Sequence, residues 1–471
     1  MPLAACSDTG DDGPVRVSVI GDPKQIEAPL THVISSAGQV SFAATARGIV
    51  TYDANGDVVP GLAQRWIVVD DGKSYIFRLR RSHWVNGDQI DAKEVKAAFE
   101  KRLRAERQVD PYGSMASVSE VLAMTGDVLE IRLKAPRPNF LVALAQPELG
   151  IARKSGGSGP YRKTARAAAG DELLLTPVDV LNEDDEPVDE RKLRVMRAER
   201  AAKSVVRFKN GLTDLVLGGS LADLPYVTLA EIDGRSVRFD PVQGLFGLAF
   251  SKRNRMFDDL QVREALAMAI EREAIVTYFD ISRWKIAEQI MPQQFDLPHA
   301  PTAPEWTRLP MDERRSRAIG TIARWRAQHD GEPVTLTIGL PEGPGMELLF
   351  IALKDQFRKV GVGLERAEKD GDLVLIDEVA PYDSASWYLG RLSCARGLRC
   401  YQEAEDLLEA SASASSLAER VELLGQAEPM MTAYGAFIPL ATPVRWSLVR
   451  SRLDGFMPSP RAHHDLSSLR K

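Results

Sequence analysis

The sequence predicts a mixed α/β protein with more than one hydrophobic core, and three observations lead there. The chain has 471 residues, more than a single core usually supports, so two or three core-bearing units are expected. Residues 38–150 read as a compact α+β subdomain. Beyond residue 330 a strand, an amphipathic helix and another strand follow one another as a βαβ unit, the usual material of a ligand-binding lobe.

In chain order, Val15–Ile20 alternates in character and reads as a strand. From Tyr52 onward, Gly56-Asp57-Val58-Val59-Pro60-Gly61-Leu62-Ala63-Gln64-Arg65-Trp66 leads into a strand ending at Val69. Asp70-Asp71-Gly72-Lys73 turns the chain, and Tyr75, Phe77 and Leu79 alternate along the return strand, which makes a hairpin. A second turn, Asn86-Gly87-Asp88, follows Trp84. Asp91 then caps a helix with Glu94 three positions on, a capping box, and Val95, Ala98, Phe99 and Leu103 share its buried face. Val128–Leu133 is a further strand.

After residue 156 a charged stretch, 191–200, is expected to be a solvated helix face. Its arginines are balanced by Asp184, Asp185, Glu186, Asp189, Glu190 and Glu199. Residues 215–217 and 245–250 are apolar strands. Asp258 or Asp259 caps a helix whose Val262, Ala265, Leu266, Ala269 and Ile270 form a 3.6-residue stripe. The proline-rich 295–310 is an irregular connection. Then come a strand at 334–338, a helix at 346–360 stopped at Gly361, and a strand at 373–376. A helical segment at about 401–431 is broken near Ser411 to Ser416.

Composition narrows the function. Apolar residues make up 44% and charged residues 27%, with a net charge of −6, the balance of a globular protein without a basic face for nucleic acid. No run of eighteen apolar residues occurs, so no helical span is expected. Leu3-Ala4-Ala5-Cys6 resembles a bacterial lipobox, with Cys6 as the lipid attachment point and a polar tether running to Pro14. Only Met1 and Pro2 precede it, so the export signal is absent from the sequence as given. Either the start is trimmed or misassigned and the protein is exported, to the periplasm or the outer face of the membrane, as the family resemblance below implies, or the four-residue match is accidental and the protein stays in the cytosol. With Cys6 set aside, Cys394 and Cys400 remain. They are either a disulfide, contributing about 2–3 kcal/mol through loop entropy, or two reduced thiols.

Catalytic and metal patterns are poorly supported. Gly156-Gly157-Ser158-Gly159 lacks the final spacing of a nucleophile elbow. Gly343 and Gly345 give two glycines of a dinucleotide fingerprint, with Leu348 in the third place. His32, His83, His299 and His329 are scattered, and the adjacent His463 and His464 cannot share one helix face. No enzyme activity, cofactor or metal is expected.

The segment Val58-Val59-Pro60-Gly61-Leu62-Ala63 through Trp66, then Asp71-Gly72-Lys73-Ser74-Tyr75-Ile76-Phe77-Arg78-Leu79-Arg80, then Trp84 and Gly87, closely resembles the signature of the peptide/nickel-type (family 5) extracytoplasmic solute-binding proteins of ABC importers. Gly157-Ser158-Gly159-Pro160-Tyr161 is similar to that family's glycine-rich turn. The helix from Asp259 through Ile270, Phe437-Ile438-Pro439-Leu440 and Leu453-Asp454-Gly455-Phe456 resemble later segments, in the family's order. Ser251 departs from the usual Asn, and an Asn/Pro/Tyr/Trp phrase after the turn is missing.

The resemblance implies a two-lobed periplasmic-binding-protein fold, type II and cluster C-like, with the α+β subdomain added to the first lobe. The implied organisation is a tether at 1–14, lobe I at 15–240, lobe II at 241–439 and a return to lobe I at 440–471. The lobes close on a ligand, with an ABC permease as partner, no nucleic acid and a monomeric state. A carboxylate after the strand at 373–376 would pair with a peptide's amino terminus, and Asp377 and Asp383 are the candidates. Asp383 fits better, with Tyr382, Trp387 and Tyr388 as apolar walls; it is equally read as a helix cap. Phe246, Arg445 and Trp446 lie where they are candidates to face the cleft. Arg445 either pairs with a ligand carboxylate or forms an interlobe salt bridge. The alternative function is a repurposed binding fold acting as a sensor or chaperone-like partner.

Overall fold

The computed structural model describes residues 13–27, 35–84, 86–153, 156–164, 172–178 and 189–471; the lipobox-like Leu3 to Cys6, His32 and Asp184 to Glu186 lie outside them. Val15–Ile20 pairs in parallel with Arg194–Glu199 on one side and Leu215–Ser220 on the other. Around them a seven-stranded sheet runs in the order Tyr161–Thr164, Leu173–Pro177, Arg194–Glu199, Val15–Ile20, Leu215–Ser220, Arg445–Val449, Val237–Phe239. A five-stranded sheet follows the order Val362–Arg366, Val334–Gly339, Leu373–Val379, Gly244–Phe250, Phe437–Ala441.

Two short connections join these sheets. The chain leaves the first after Phe239 and enters the second at Gly244; it leaves the second after Ala441 and re-enters the first at Arg445. Pro241 and Pro443 stiffen both crossings by fixing φ. Asp240 anchors one of them, because its carboxylate accepts from the Ser459 backbone N–H at 2.8 Å and meets His464 Nε2 at 3.2 Å.

The subdomain is a four-stranded antiparallel sheet, Ala63–Val69, Ser74–Leu79, Val128–Leu133, Val118–Thr125, covered by the helix Ala92–Val109. The capping box forms as read: Asp91 accepts from the Glu94 backbone and Glu94 from the Asp91 backbone. Phe77, Phe99, Leu129 and Ile131 fill the core beneath the helix, and the same cluster continues into the second lobe through Tyr382, Trp387, Tyr388 and Leu389. The subdomain and the second lobe therefore share one apolar interior.

Two expectations are corrected. Arg194–Glu199 is a buried strand, not a solvated helix face. Arg194 is tolerated inside because its guanidinium donates to the Leu466 and Leu469 carbonyls at 2.9 and 2.7 Å, and Glu199 accepts from the Ser18 hydroxyl and from Arg207, each at 2.9 Å. Side-chain charge misleads where every charge finds an internal partner. The βαβ unit closes on Val362–Arg366, a strand missed in the sequence that pairs in parallel with Val334–Gly339; Leu373–Val379 follows on that strand's other side. The break in the late helical segment is present, between Gln402–Ser413 and Leu417–Tyr434, with Ser416 capping the second.

Candidate ligand site between the lobes

Leu373–Val379 runs between Val334–Gly339 and Gly244–Phe250 and delivers the turn 380–384 and the helix Ala385–Gly390 to the seam with the subdomain. Asp383 lies in that turn. Its two carboxylate oxygens accept from Arg461 Nη1 and Nη2, each at 3.0 Å, in a forked pair. Arg461 also donates to the Ala380 carbonyl at 3.1 Å, so the C-terminal segment is tied to the same turn. The Asp383 side chain keeps 45% of its surface exposed while Arg461 keeps 11%. Asp383 does not cap the helix. Asp296, from the irregular connection, does so by accepting from the Ala385 backbone N–H at 2.5 Å and the Ser384 hydroxyl at 2.8 Å.

The apolar neighbours are placed unevenly. Tyr382 is buried, and its hydroxyl donates to Asp110, at the end of the subdomain helix. Gly113 makes room for that contact: a Cβ there would stand 2.1 Å from Asp110 Oδ2 and 2.3 Å from the Tyr382 oxygen. Burial pushes the Tyr382 phenol well above its usual value and raises the Asp110 carboxyl, which keeps the proton on the tyrosine and weakens ionisation of the acid. Trp387 is buried edge-on against Tyr388, with ring centroids 4.9 Å apart, and Arg391 lies over its face at 5.2 Å. Tyr388 stacks on Phe295 at 5.4 Å, and its buried hydroxyl has no hydrogen-bond partner among the described residues.

Phe246 and Trp446 are buried and do not line a cleft surface. Phe246 packs inside the second lobe with its ring 5.9 Å from Trp284. Trp446 donates to the Ser220 carbonyl at 2.8 Å and lies so close over Gly219 that a Cβ there would meet the indole at 2.2 Å. Strand alternation turns both rings into the core. Arg445 pairs with Asp377, Nη1 to Oδ1 at 2.8 Å, and thereby links the two sheets at the crossing. Asp377, the other candidate carboxylate, is therefore consumed by a hinge salt bridge.

Several residues at the seam carry no motif. Tyr52 donates to the Val142 carbonyl at 2.5 Å in the subdomain and to the Pro381 carbonyl at 3.3 Å in the second lobe, and stacks on His463 at 5.8 Å. Tyr52 stands within the electrostatic reach of Arg461, Glu148 and Asp383 together. Glu106, Glu148 and His463 are each half-buried. Burial, with Asp110 and Glu148 adding to it, pushes the Glu106 carboxyl up to about 8. Burial raises Glu148 as well, against a 2.6 Å hydrogen bond from Gln39 Nε2. Burial pushes His463 down to about 4, helped by His464 and Arg461. Asp383, Arg461, Tyr52, His463, Glu148 and Glu106 thus form one polar track where subdomain, second lobe and C-terminal segment meet.

Further bonds close this seam. Arg391 donates to the Val109 carbonyl at 3.1 Å, Arg137 to the Ala412 carbonyl at 2.9 Å, Asn139 to the Asp383 carbonyl at 2.5 Å, and Tyr112 to Glu405. Cys394 and Cys400 are joined as a disulfide with Cα atoms 5.1 Å apart, in the loop preceding the helix that carries Glu405. Among the described residues no group of three or more His, Cys, Asp or Glu is arranged to hold a metal ion.

With this geometry, the comparison with known proteins is direct. The family model "Bacterial extracellular solute-binding proteins, family 5 Middle" matches residues 57–383, from the first hairpin to the carboxylate at the seam. The chain belongs to the family 5 extracellular solute-binding proteins. It is 21% identical to the dipeptide-binding protein of Escherichia coli, over 88% of this chain and 86% of that one. Among solved structures it is similar to Haemophilus influenzae OppA in complex with RPPGFSPFR, with a TM-score of 0.78, 17% identity, and 98% and 99% of the two chains covered. The murein tripeptide binding protein MppA of Escherichia coli matches with a TM-score of 0.76 at 16% identity, over 97% and 98% of the chains. The unliganded open form of MppA matches at 0.66, at 16% identity over 98% and 97%. As a member of this family the chain is a binding protein, not an enzyme: it captures a solute between two lobes and delivers it to an ABC importer.

Proposed function

We propose that the solute is a small peptide and that Asp383 receives its amino terminus. The observation that carries this reading is the exposure of the Asp383 carboxylate at the seam, where its pairing with Arg461 leaves nearly half of its side-chain surface open. A carboxylate has about four lone-pair sites, so a forked arginine leaves room for an ammonium group. Tyr52 and His463, stacked with ring centroids 5.8 Å apart and each half-buried, supply ring surface for it. The relatives support the same class of ligand, since those reported above carry dipeptide, tripeptide or nonapeptide ligands in their names or titles.

Closure would bring the second lobe onto the subdomain and exclude water from the contacts, so that only the loaded form presents both lobes to the permease. The protein would work outside the inner membrane, with Cys6 as the point of lipid attachment. Mass spectrometry of molecules released from the purified, denatured protein tests the ligand class. Short peptides with free amino termini are expected; a sugar or a metal chelate in stoichiometric amount, with no peptide, overturns the reading.

A further inference from the structure

We propose that residues 459–464 form a strap that latches the lobes together over a captured solute: Asp240 clips both ends of the strap at the crossing between the sheets, and Arg461 reaches from it to hold the turn that carries Asp383. The strap acts on closure, and so on whatever solute the lobes capture.

The strap belongs to no helix or strand, so side chains hold it in place. One carboxylate takes both of its ends. Asp240 follows directly where the chain leaves the first sheet at Phe239, and 2% of its side chain is exposed. Its Oδ1 accepts from the Ser459 backbone N–H at 2.8 Å, and its Oδ2 meets His464 Nε2 at 3.2 Å. Inside that clip the Ser459 hydroxyl accepts from the backbone N–H groups of Arg461 and His463 at 3.3 and 3.1 Å. Ala462 stands at φ 54°, in the left-handed region. Alanine has no polar side chain to offset the cost of that conformation, which persists only where the surroundings over-determine it. The clipped ends supply that constraint, and a backbone so held fixes where its side chains point.

Those side chains meet both sides of the seam. Arg461 takes the second lobe, with its fork on Asp383 at 3.0 Å and its bond to the Ala380 carbonyl at 3.1 Å. Pro460 and His463 take the subdomain. His463 stacks on Tyr52 at 5.8 Å, and Pro460 lies so close to Gly56 that a Cβ there would stand 2.9 Å from its Cγ. The strap therefore touches the subdomain at two places, the second lobe at one turn, and the crossing at its own ends. A swing of the second lobe about the crossings parts Arg461 from Asp383 while both ends of the strap stay on Asp240. Arg461 is thus kept aimed for closure, and little ordering is left to be done when the lobes meet. Arg461 is the latch, and Asp240 is a positioning residue that acts through it.

The test pairs calorimetric titration with trialanine and small-angle X-ray scattering of the free protein. It compares the full unaltered chain with Arg461→Gln, Asp240→Asn and the double variant, each checked for folding by thermal melting. Arg461→Gln frees the Asp383 carboxylate for a ligand, so a latch and a mere competitor for that carboxylate predict opposite signs. The latch predicts trialanine binding weakened about tenfold or more, as loss of a charge-assisted pair allows, and a larger radius of gyration of the free protein. Asp240→Asn is expected to weaken binding by a smaller factor, and the double variant no further than Arg461→Gln alone. Binding that is unchanged or tighter in Arg461→Gln overturns the proposal, as does a double variant in which the two losses multiply. If trialanine does not bind the unaltered protein, the peptide reading falls and scattering decides the latch by itself: an unchanged radius of gyration in Arg461→Gln overturns it, and a larger one supports it.

Discussion

Two ion pairs link elements of the two lobes, and they differ in what surrounds them. Asp377–Arg445 closes at 2.8 Å where the chain crosses between sheets, with 17% and 18% of the side chains exposed. Asp383–Arg461 closes at 3.0 Å at the seam, with 45% of the aspartate open. Distance alone does not separate them; exposure and neighbours do. The first pair lies where Arg445 pairs with Ser220 across the sheet, and leaves much less of its aspartate open. The second stands beside Tyr52, His463 and a Tyr388 hydroxyl that has no partner among the described residues, and retains acceptor capacity. One pair joins the two sheets at the crossing; the other lies at the seam proposed above as the ligand site.

Substitution of each aspartate sharpens that contrast. Asp383→Asn is expected to weaken tripeptide binding by roughly ten- to a hundredfold, since a hydrogen bond to a charged group is worth about 1.5–3 kcal/mol. Asp377→Asn is expected to stay within about threefold and to lower the melting temperature instead. Equal losses of affinity in the two variants, measured by calorimetry, would break the distinction.

The pH dependence of stability probes the interior of the candidate site. Glu106 has a folded value pushed up to about 8, against an ordinary 4.5. Its neutral form therefore favours the folded state below about pH 4.5, and that contribution is lost as pH rises through 8. At about 1.4 kcal/mol per unit, the loss is of order 5 kcal/mol. His463 acts in the opposite sense: its folded value near 4 gives a contribution present above its ordinary 6.5 and lost as pH falls through 4. Melting temperatures of the free protein are expected to decline between pH 5.5 and 8.5, and less so in Glu106→Gln. Parallel declines in the two proteins would show that Glu106 is ionised throughout.

Smaller effects are expected away from the candidate site. Tyr382→Phe leaves Asp110 without its donor and should cost about 1–3 kcal/mol by denaturant titration. Reduction of Cys394–Cys400 should cost about 2 kcal/mol, the loop-entropy value for so short a loop, without changing ligand affinity more than about threefold. A larger effect on affinity would place that loop in the candidate site.

The fold was largely legible because its signals are local. The hairpin around Asp71-Gly72, the capping box at Asp91 and the ordered family segments each lie within about a dozen residues. Arg194–Glu199 was misread because its charges are matched by carbonyls and side chains far away in sequence, including Leu466 and Leu469. The strand Val362–Arg366 was missed because Gly363, Glu365 and Arg366 dilute its alternation. Asp383 is a candidate through the family resemblance and its aromatic neighbours, and the structure shows it paired with Arg461 and 45% exposed. The burial of Phe246 and Trp446 was not legible, because sequence places a residue on a strand without fixing which side of it faces a core.

Glu106, Glu148, Tyr52, Arg461 and His463 converge from four distant segments, which no local pattern announces. One signal was present: Val95, Phe99 and Leu103 define the buried stripe of the subdomain helix, and Glu106 continues it at helical spacing. An acid on an apolar stripe is a conflict between local pattern and burial. Such conflicts are where functional residues are expected.

The most direct measurement is a calorimetric comparison of trialanine with N-acetyl-trialanine on the unaltered protein. Recognition of the amino terminus at Asp383 predicts that acetylation, which removes the positive charge and two donors, weakens binding by at least about thirtyfold. Equal affinity for the two peptides would contradict the account.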